Sequence, residues 1–406
     1  MQVTVVVHDV GGVGGMERVL TELIEGLLAA GDVVTVISRT CALTPHDRLR
    51  WVRVPGPARP LPLAYPWFFA VGSLITWRRR RGVVLSTGAI VANRTDWTAV
   101  HLCHHAARDL GVSRMSRRSR VYRINAHLAQ SLSCLGERFC YRPSRAGGLI
   151  GVSSGVAAEL SNYFPRMRVA TVPNGVSVER FQPDPARRRD IRRCFGIRDD
   201  ELLALFVGGE WKGKGLSSAI RGLAHAPGWK LCVVGAGDAG TYAAVADAAG
   251  VHDRVLFAGV VDDPAPFYAA SDAFVLPSIY ETFSLVTYEA AASGVPLLAT
   301  PVSGVTDLLS DGETGWFIHA DPADIGSKLV ALGNDRDMRA RMAQAGRAAA
   351  AQFSWPQMLT GYQRLFREAA TRYDTTGGHP DRALRRRLRY LGFGRKDRGR
   401  PSDFAA

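Results

Sequence analysis

The feature that most restricts the fold is a unit that opens the chain and starts again past its midpoint: an apolar run, a glycine-rich turn, a helical period and another apolar run. Residues 2–39 read QVTVVVHDVGGVGGMERVLTELIEGLLAAGDVVTVISR, and that order describes strand, turn, amphipathic helix and strand. Strand-like runs at 82–86, 97–103 and 148–152, with helical stretches between them, extend it to an α/β domain that ends near VPNGV at 172–176. The unit restarts with LLALFVGG at 202–209 and continues through WKLCVVGAG, RVLFAGVV and AFVLPS, each followed by a helical stretch. Periods of about 25 to 30 residues predict an α/β protein with two Rossmann-like, doubly wound domains in tandem. We place the first over residues 1–178 with a helix returning to it at about 356–373, the second over 179–355, and a basic tail without core-forming content, expected to be disordered or surface-bound, over 374–406.

Charge matters where it is uneven. Residues 1–183 hold 23 arginines and no lysine against 11 acidic residues, and the tail is basic as well. Such a half can meet nucleic acid, an anionic bilayer or a phosphorylated substrate. No RNA- or DNA-reading motif accompanies the charge, which argues against nucleic acid. The stretch from Arg108 to Arg145 mixes arginine with Leu, Ile, Phe and Tyr at near-helical spacing, the pattern of a surface that docks on anionic lipid. Residues 61–77 are apolar but about three residues short of a ~20-residue span and contain two prolines, so they are not expected to cross a membrane. Six cysteines without a CxxC pair and a strand-like N-terminus without a cationic leader fit a reduced, cytoplasmic setting, with peripheral membrane attachment through the arginines.

Chemistry concentrates in the second domain. Glu281 and Glu289 stand eight residues apart across a helix start that follows AFVLPS, at the sheet edge where open α/β sheets bind ligands. Backbone N–H groups at 283–286 would face a phosphate there, and carboxylates accept from sugar and ribose hydroxyls. Two of only five lysines, Lys212 and Lys214, lie on the glycine-rich turn after that domain's first strand. Cations at that place neutralise the charge that grows on a departing diphosphate. The sole D-x-D string, Asp335 to Asp337, is remote in sequence from these motifs, and lysines with helix dipoles make a metal ion unnecessary.

The ordered series GGVGGMERV, VSSGVAAEL, VPNGV, WKGKGL, VVGAGDAG, RVLFAGVVDD, VLPSIYETFSLVTYEAAASGVPLLAT, GVTDLL and DGETGW resembles glycosyltransferase family 4, the glycosyl transferase group 1 type. The resemblance implies the GT-B fold, two domains facing a central cleft, and a retaining transfer from a nucleoside-diphosphate sugar by a front-face mechanism. It implies that Lys214 contacts the donor diphosphate and that Lys212 stands about where a second cation is found. Glu281 would contact donor-sugar hydroxyls, Glu289 the ribose, and Phe283, Ser284 and Leu285 the sugar and phosphate through their backbone. Gly14 and Gly15 match a glycine loop near the phosphates. The family histidine at the end of a mid-domain strand has three candidates, His101, His104 and His105; alternation along the strand selects His104. The catalytic set is then His104, Lys214 and Glu281, with no cofactor beyond the donor and a saccharide or lipid-linked acceptor. The competing readings are a nucleotide-sugar epimerase of the same fold and a nicotinamide-dependent oxidoreductase built on Gly235-Ala-Gly-Asp-Ala-Gly240.

Overall fold

The computed structural model describes residues 1–11, 14–111 and 120–375. Its first sheet is parallel, seven-stranded and ordered β5-β3-β1-β6-β7-β8-β9. The strands are β1 (Gln2–Val6), β3 (Val33–Ser38), β5 (Leu49–Arg53), β6 (Val83–Thr87), β7 (Trp97–Val100), β8 (Leu149–Gly151) and β9 (Val169–Thr171), beside a two-stranded pair, β2 (Asp9–Val10) and β4 (Thr40–Cys41). The second sheet is ordered β12-β11-β10-β13-β14-β15. Its strands are β10 (Leu202–Val207), β11 (Trp229–Val234), β12 (Val255–Gly259), β13 (Ala273–Leu276), β14 (Leu297–Ala299) and β15 (Gly315–Phe317).

The inner strands of both sheets are buried on two faces, which is why they read as nearly unbroken apolar runs rather than alternating ones. Side chains of a strand point alternately to opposite faces. Accordingly Val3, Val5, Val34, Val36, Val83 and Leu85 pack on one side, and Val6, Ile37 and Val84 on the other. Helix α1 (Gly15–Ala29) covers the first side through Val19, Leu20, Leu23, Ile24 and Leu27. Helix α2 (Leu61–Arg79) covers the second through Phe68.

Between β7 and β9 lie α3 (His104–Asp109), α4 (Arg120–Cys140) and α5 (Ser154–Tyr163). The second domain is wrapped by α6 (Pro185–Cys194), α7 (Leu216–Gly222), α8 (Ala239–Ala248), α9 (Ala265–Ala270), α10 (Leu285–Ala292), α11 (Val305–Leu308), α12 (Pro322–Asn334) and α13 (Arg336–Ala350). The last helix, α14 (Trp355–Thr375), returns to the first domain. Met358, Tyr362, Leu365, Phe366 and Ala369 repeat at helical spacing and join the core under α1. Trp97 Nε1 donates to the Leu365 carbonyl at 2.9 Å. The second domain's core also runs without a break into α5 and β8 of the first, through Val156, Leu160 and Leu149. The two domains are therefore joined by packed side chains as well as by chain.

Candidate active site

In the second sheet β10 lies between β11 and β13, and the chain order reverses between β10 and β13. Crevices at such reversals, beyond the carboxyl ends of the strands, are where open α/β sheets hold ligands. The β10 loop delivers Lys214 and the β13 loop Glu281, and Lys214 Nζ donates to Glu281 Oε1 at 2.5 Å. Ser278 Oγ donates to the same oxygen at 2.9 Å. Gly208 is required here: at φ 149° it also leaves room for the Lys214 stem, which a Cβ would approach to 2.6 Å. Lys212 is exposed, one residue past the buried Trp211, so of the two lysines it is Lys214 that is paired with Glu281.

Among the described residues only Glu210 and Ser284 are non-glycines with positive φ, at 51° and 66°. One lies in each loop of this crevice. Strained backbone of this kind persists where surrounding structure holds it, and it clusters at functional sites. Ser284 is the N-cap of α10, yet its hydroxyl pairs with Thr287 Oγ1 at 2.8 Å and makes no side-chain cap to the helix. The first N–H groups of a helix lack intrahelical partners and carry positive partial charge, which suits an anion. Phe283 stacks on Tyr288 with centroids 4.1 Å apart and fixes the loop that presents them. One turn along α10, Glu289 is 2% exposed and is held by Arg18 of α1 and by the Tyr268 hydroxyl at 2.8 Å.

The first domain faces this loop. A Cβ on Gly15 would lie 3.3 Å from Leu285 Cδ1, and Gly14 immediately precedes α1. Ser153 Oγ donates to the Thr282 carbonyl at 2.7 Å, and the Tyr280 hydroxyl donates to Glu159 at 3.3 Å. Gly15 and Arg18 thus meet Leu285 and Glu289 across the cleft, with Phe283 and Ser284 in the loop that leads into α10 and Lys214 and Glu281 paired beside it in the second domain. Arg18 had no sequence signal of its own. Its position three residues after Gly15 could have drawn attention to it.

Beyond the carboxyl ends of β1, β6 and β7 is a cavity of about 260 Å³ lined by His8, Tyr65, Thr87, His101, His104 and Tyr141 among others. Alternation does not select a histidine here, because β7 ends at Val100 and His104 opens α3. The cause is Glu137 of α4, whose carboxylate accepts from the His104 N–H at 2.8 Å and the His105 N–H at 3.3 Å and so caps α3. His101 and His104 both reach the cavity, while His105 turns to Glu137 at 2.6 Å from Nδ1. Among the described residues the buried His101 Nε2 has no hydrogen-bond partner. Burial lowers the pKa of His8, His101 and His104 to about 4 each, so all three are neutral at pH 7. Burial raises Glu137 to about 7. Together with Cys134, His105 and Glu137 form the one three-residue cluster of potential metal ligands among the described residues; its carboxylate is already employed as the α3 cap.

Two other motifs have structural roles. The glycines at 235–240 follow β11, which is not at the reversal, and Gly237 packs so closely on Trp211 that a Cβ would lie 2.2 Å from its ring. Asp335 caps α13 by accepting from the Met338 N–H at 2.8 Å.

The surface beside the histidine cavity is apolar. On α2, Ala64, Phe68, Gly72 and Thr76 face inward, while Leu63, Trp67 and Leu74 are exposed, Leu63 at 65%. Helix α4 packs against it, with Phe69 and Phe139 rings 5.9 Å apart, and exposes Leu128 and Leu135. Arg78 and Arg79 end α2, Arg138 stands in the last turn of α4 and Arg142 follows it, all four exposed. Arg117, Arg118, the side chain of Arg120 and the tail beyond residue 375 lie outside the described residues. No helix among the described residues is long and apolar enough to cross a membrane.

Comparison with known proteins follows the same division. The description "Glycosyltransferase Family 4" matches residues 13–180 and "Glycosyl transferases group 1" matches residues 187–349. A D-inositol 3-phosphate glycosyltransferase of Xylanimonas cellulosilytica is 33% identical over 218 residues, 50% of this chain and 52% of that protein. The chain thus spans about half the length of the inositol phosphate enzymes it matches. An uncharacterized glycosyltransferase of Methanocaldococcus jannaschii is 26% identical over 344 residues, 80% of this chain and 85% of that one. Among solved structures, WaaG, a glycosyltransferase involved in lipopolysaccharide biosynthesis, superposes with a TM-score of 0.71 at 20% identity, covering 86% of this chain and 95% of WaaG. HepE of Anabaena in complex with UDP-glucose gives 0.68 at 16% identity, covering 91% and 100%. The two matched descriptions, the relatives and the two facing Rossmann-like sheets agree: the chain belongs to the group 1, family 4 glycosyltransferases and has the GT-B fold.

Proposed function

We propose that the protein moves a hexose-type sugar, with retention and without a metal ion, from a nucleoside-diphosphate sugar to an amphiphilic acceptor at the cell envelope. The observation that carries this reading is the Lys214–Glu281 pair at the crevice beside the uncapped start of α10. Lys214 and the α10 N–H groups stabilise the diphosphate as it departs, a task that otherwise falls to a divalent cation. Glu281 already accepts from Lys214 and Ser278, which suits a carboxylate that holds sugar hydroxyls more than one that attacks carbon. Glu289 takes the ribose, and the backbone of Phe283, Ser284 and Leu285 meets sugar and phosphate. On the acceptor side a neutral histidine, His104 or its neighbour His101, can bond a donor-sugar hydroxyl. That solved relatives hold UDP and UDP-glucose supports the donor class. A thermal-shift panel of nucleoside diphosphates and their sugars in EDTA tests the reading. The matching ligand at about 100 times its Kd should add about 2.7 kcal/mol of stability, and the matching sugar nucleotide should show transfer to added acceptor. A shift with NAD or NADP alone would overturn it.

The apolar face of α2 and α4 fits an anionic bilayer, because arginines at the C-terminal ends of both helices accompany exposed leucines over the cavity that would receive the acceptor. Peripheral attachment on the cytoplasmic side is part of this proposal. Burying a leucine is worth about 1.5–3 kcal/mol, so Leu63→Asp with Leu135→Asp should weaken binding to phosphatidylglycerol vesicles by tenfold or more and leave nucleotide binding unchanged. Undiminished sedimentation with vesicles would remove α2 and α4 as the docking face.

A further inference from the structure

One charged group in the cleft has no task in that reaction. Arg18 belongs to the first domain, and its N–H donates to the Gly14 carbonyl at 3.0 Å, so it is carried by the glycine turn itself. Its guanidinium crosses the cleft to Glu289 of the second domain. The other Glu289 oxygen takes the Tyr268 hydroxyl, and the carboxylate is almost wholly buried. Both oxygens of the residue assigned to the ribose are therefore engaged before any nucleotide arrives. Among the described residues Arg18 Nε also has no hydrogen-bond partner although it is buried, an arrangement that favours a change of partner.

We propose that Arg18 is a donor-binding residue that changes partner on nucleotide binding, leaving Glu289 to the ribose and taking the diphosphate. The inference rests on the donor reading above. It follows from the spacing on α10, where Glu289 lies one turn past the uncapped start at Leu285. Four residues of helix rise about 6 Å, within the sweep of an arginine side chain whose backbone stays in place. A planar guanidinium matches phosphate oxygens as well as carboxylate oxygens. With Lys212 exposed, Arg18 supplies a second cation from the opposite domain. It does so only when a ribose has displaced it from Glu289, so ribose and diphosphate are recognised together rather than separately.

Calorimetric titration of wild type, Arg18→Gln and Arg18→Lys tests this with three probes: the nucleoside diphosphate selected by the panel, its nucleoside, and inorganic pyrophosphate. Arg18→Gln should weaken the nucleoside diphosphate by tenfold or more, leave pyrophosphate unchanged, and bind the nucleoside at least as tightly as wild type because Glu289 is free. Arg18→Lys should recover part of the diphosphate affinity. Equal weakening of pyrophosphate and nucleoside diphosphate would make Arg18 an ordinary phosphate ligand and overturn the exchange. Unchanged nucleoside diphosphate affinity would reduce it to a strut between domains and overturn the proposal. If wild type binds no nucleoside diphosphate, the donor reading itself fails, an outcome visible before any variant is compared. A single cooperative melting transition in each ligand-free variant, even at a lowered temperature because the buried Glu289 has lost its partner, separates these effects from misfolding.

Discussion

Replacing Lys214 by alanine should lower kcat/KM for the sugar nucleotide by about 10²–10³-fold, the usual consequence of removing one preorganised group aimed at charge developing in a transition state. The side chain is half-buried and its ammonium pairs with Glu281. The deletion also leaves Glu281 with Ser278 as its remaining hydrogen-bond partner, which loosens the contact expected for the sugar hydroxyls. Steady-state kinetics at saturating acceptor, with the thermal-shift response to the free nucleoside diphosphate alongside, make the check. Both should fall, because in the proposed role the cation would act on substrate and leaving group alike. A variant retaining more than about a tenth of wild-type kcat/KM would show that the helix start, and not Lys214, carries the diphosphate.

Acidification from pH 7 to pH 5 should destabilise the first domain by about 4 kcal/mol. His8, His101 and His104 surround one cavity, and burial holds their pKa near 4 against 6.5 when exposed. A depressed histidine pKa means that the folded state binds fewer protons than the unfolded chain, so its stabilising contribution is present above pH 6.5 and is lost as pH falls toward 4. At pH 5 each histidine accounts for about 2 kcal/mol of loss. Glu137 acts in the opposite sense. Its pKa is raised to about 7, so its ionisation weakens the fold as pH rises through 4.5 to 7, and protonation on the way down returns about 2 kcal/mol. Against a typical total of about 5–15 kcal/mol, the remaining loss should appear as a clear drop in melting temperature. His101→Asn with His104→Asn should flatten that pH dependence. A melting temperature unchanged between pH 7 and pH 5 would mean that these histidines take up protons in the folded protein far more readily than a pKa of about 4 allows.

How far a residue's role can be read from the chain depends on whether its partners are local. The glycine turns, the strand runs and the Glu281–Glu289 spacing lie within single βα units, where side-chain period and turn chemistry act over a few residues. These led to both sheets, and Lys214 was marked by the same turn that follows β10. The histidine was different. Alternation treats residues 97–103 as one strand, but Glu137, 33 residues after His104, captures the helix-start N–H groups and ends the strand at Val100. Arg18 and Glu289 are 271 positions apart, and no local pattern links them.

The amino-acid order alone determined that this protein is a tandem of doubly wound α/β units with a glycine-rich turn after β10 and a pair of glutamates after β13, because periodicity, glycine placement and helix starts are encoded in adjacent residues. Tertiary structure decided which stripe of α2 is core and which remains exposed, since its apolar residues cover both faces and only the sheet beneath Phe68 distinguishes them. It also decided that Ser284 and Glu210 carry left-handed backbone and that Glu289 meets an arginine of the other domain. Such conformations and pairings are imposed by surfaces that come together only when the two sheets have folded and closed on one another.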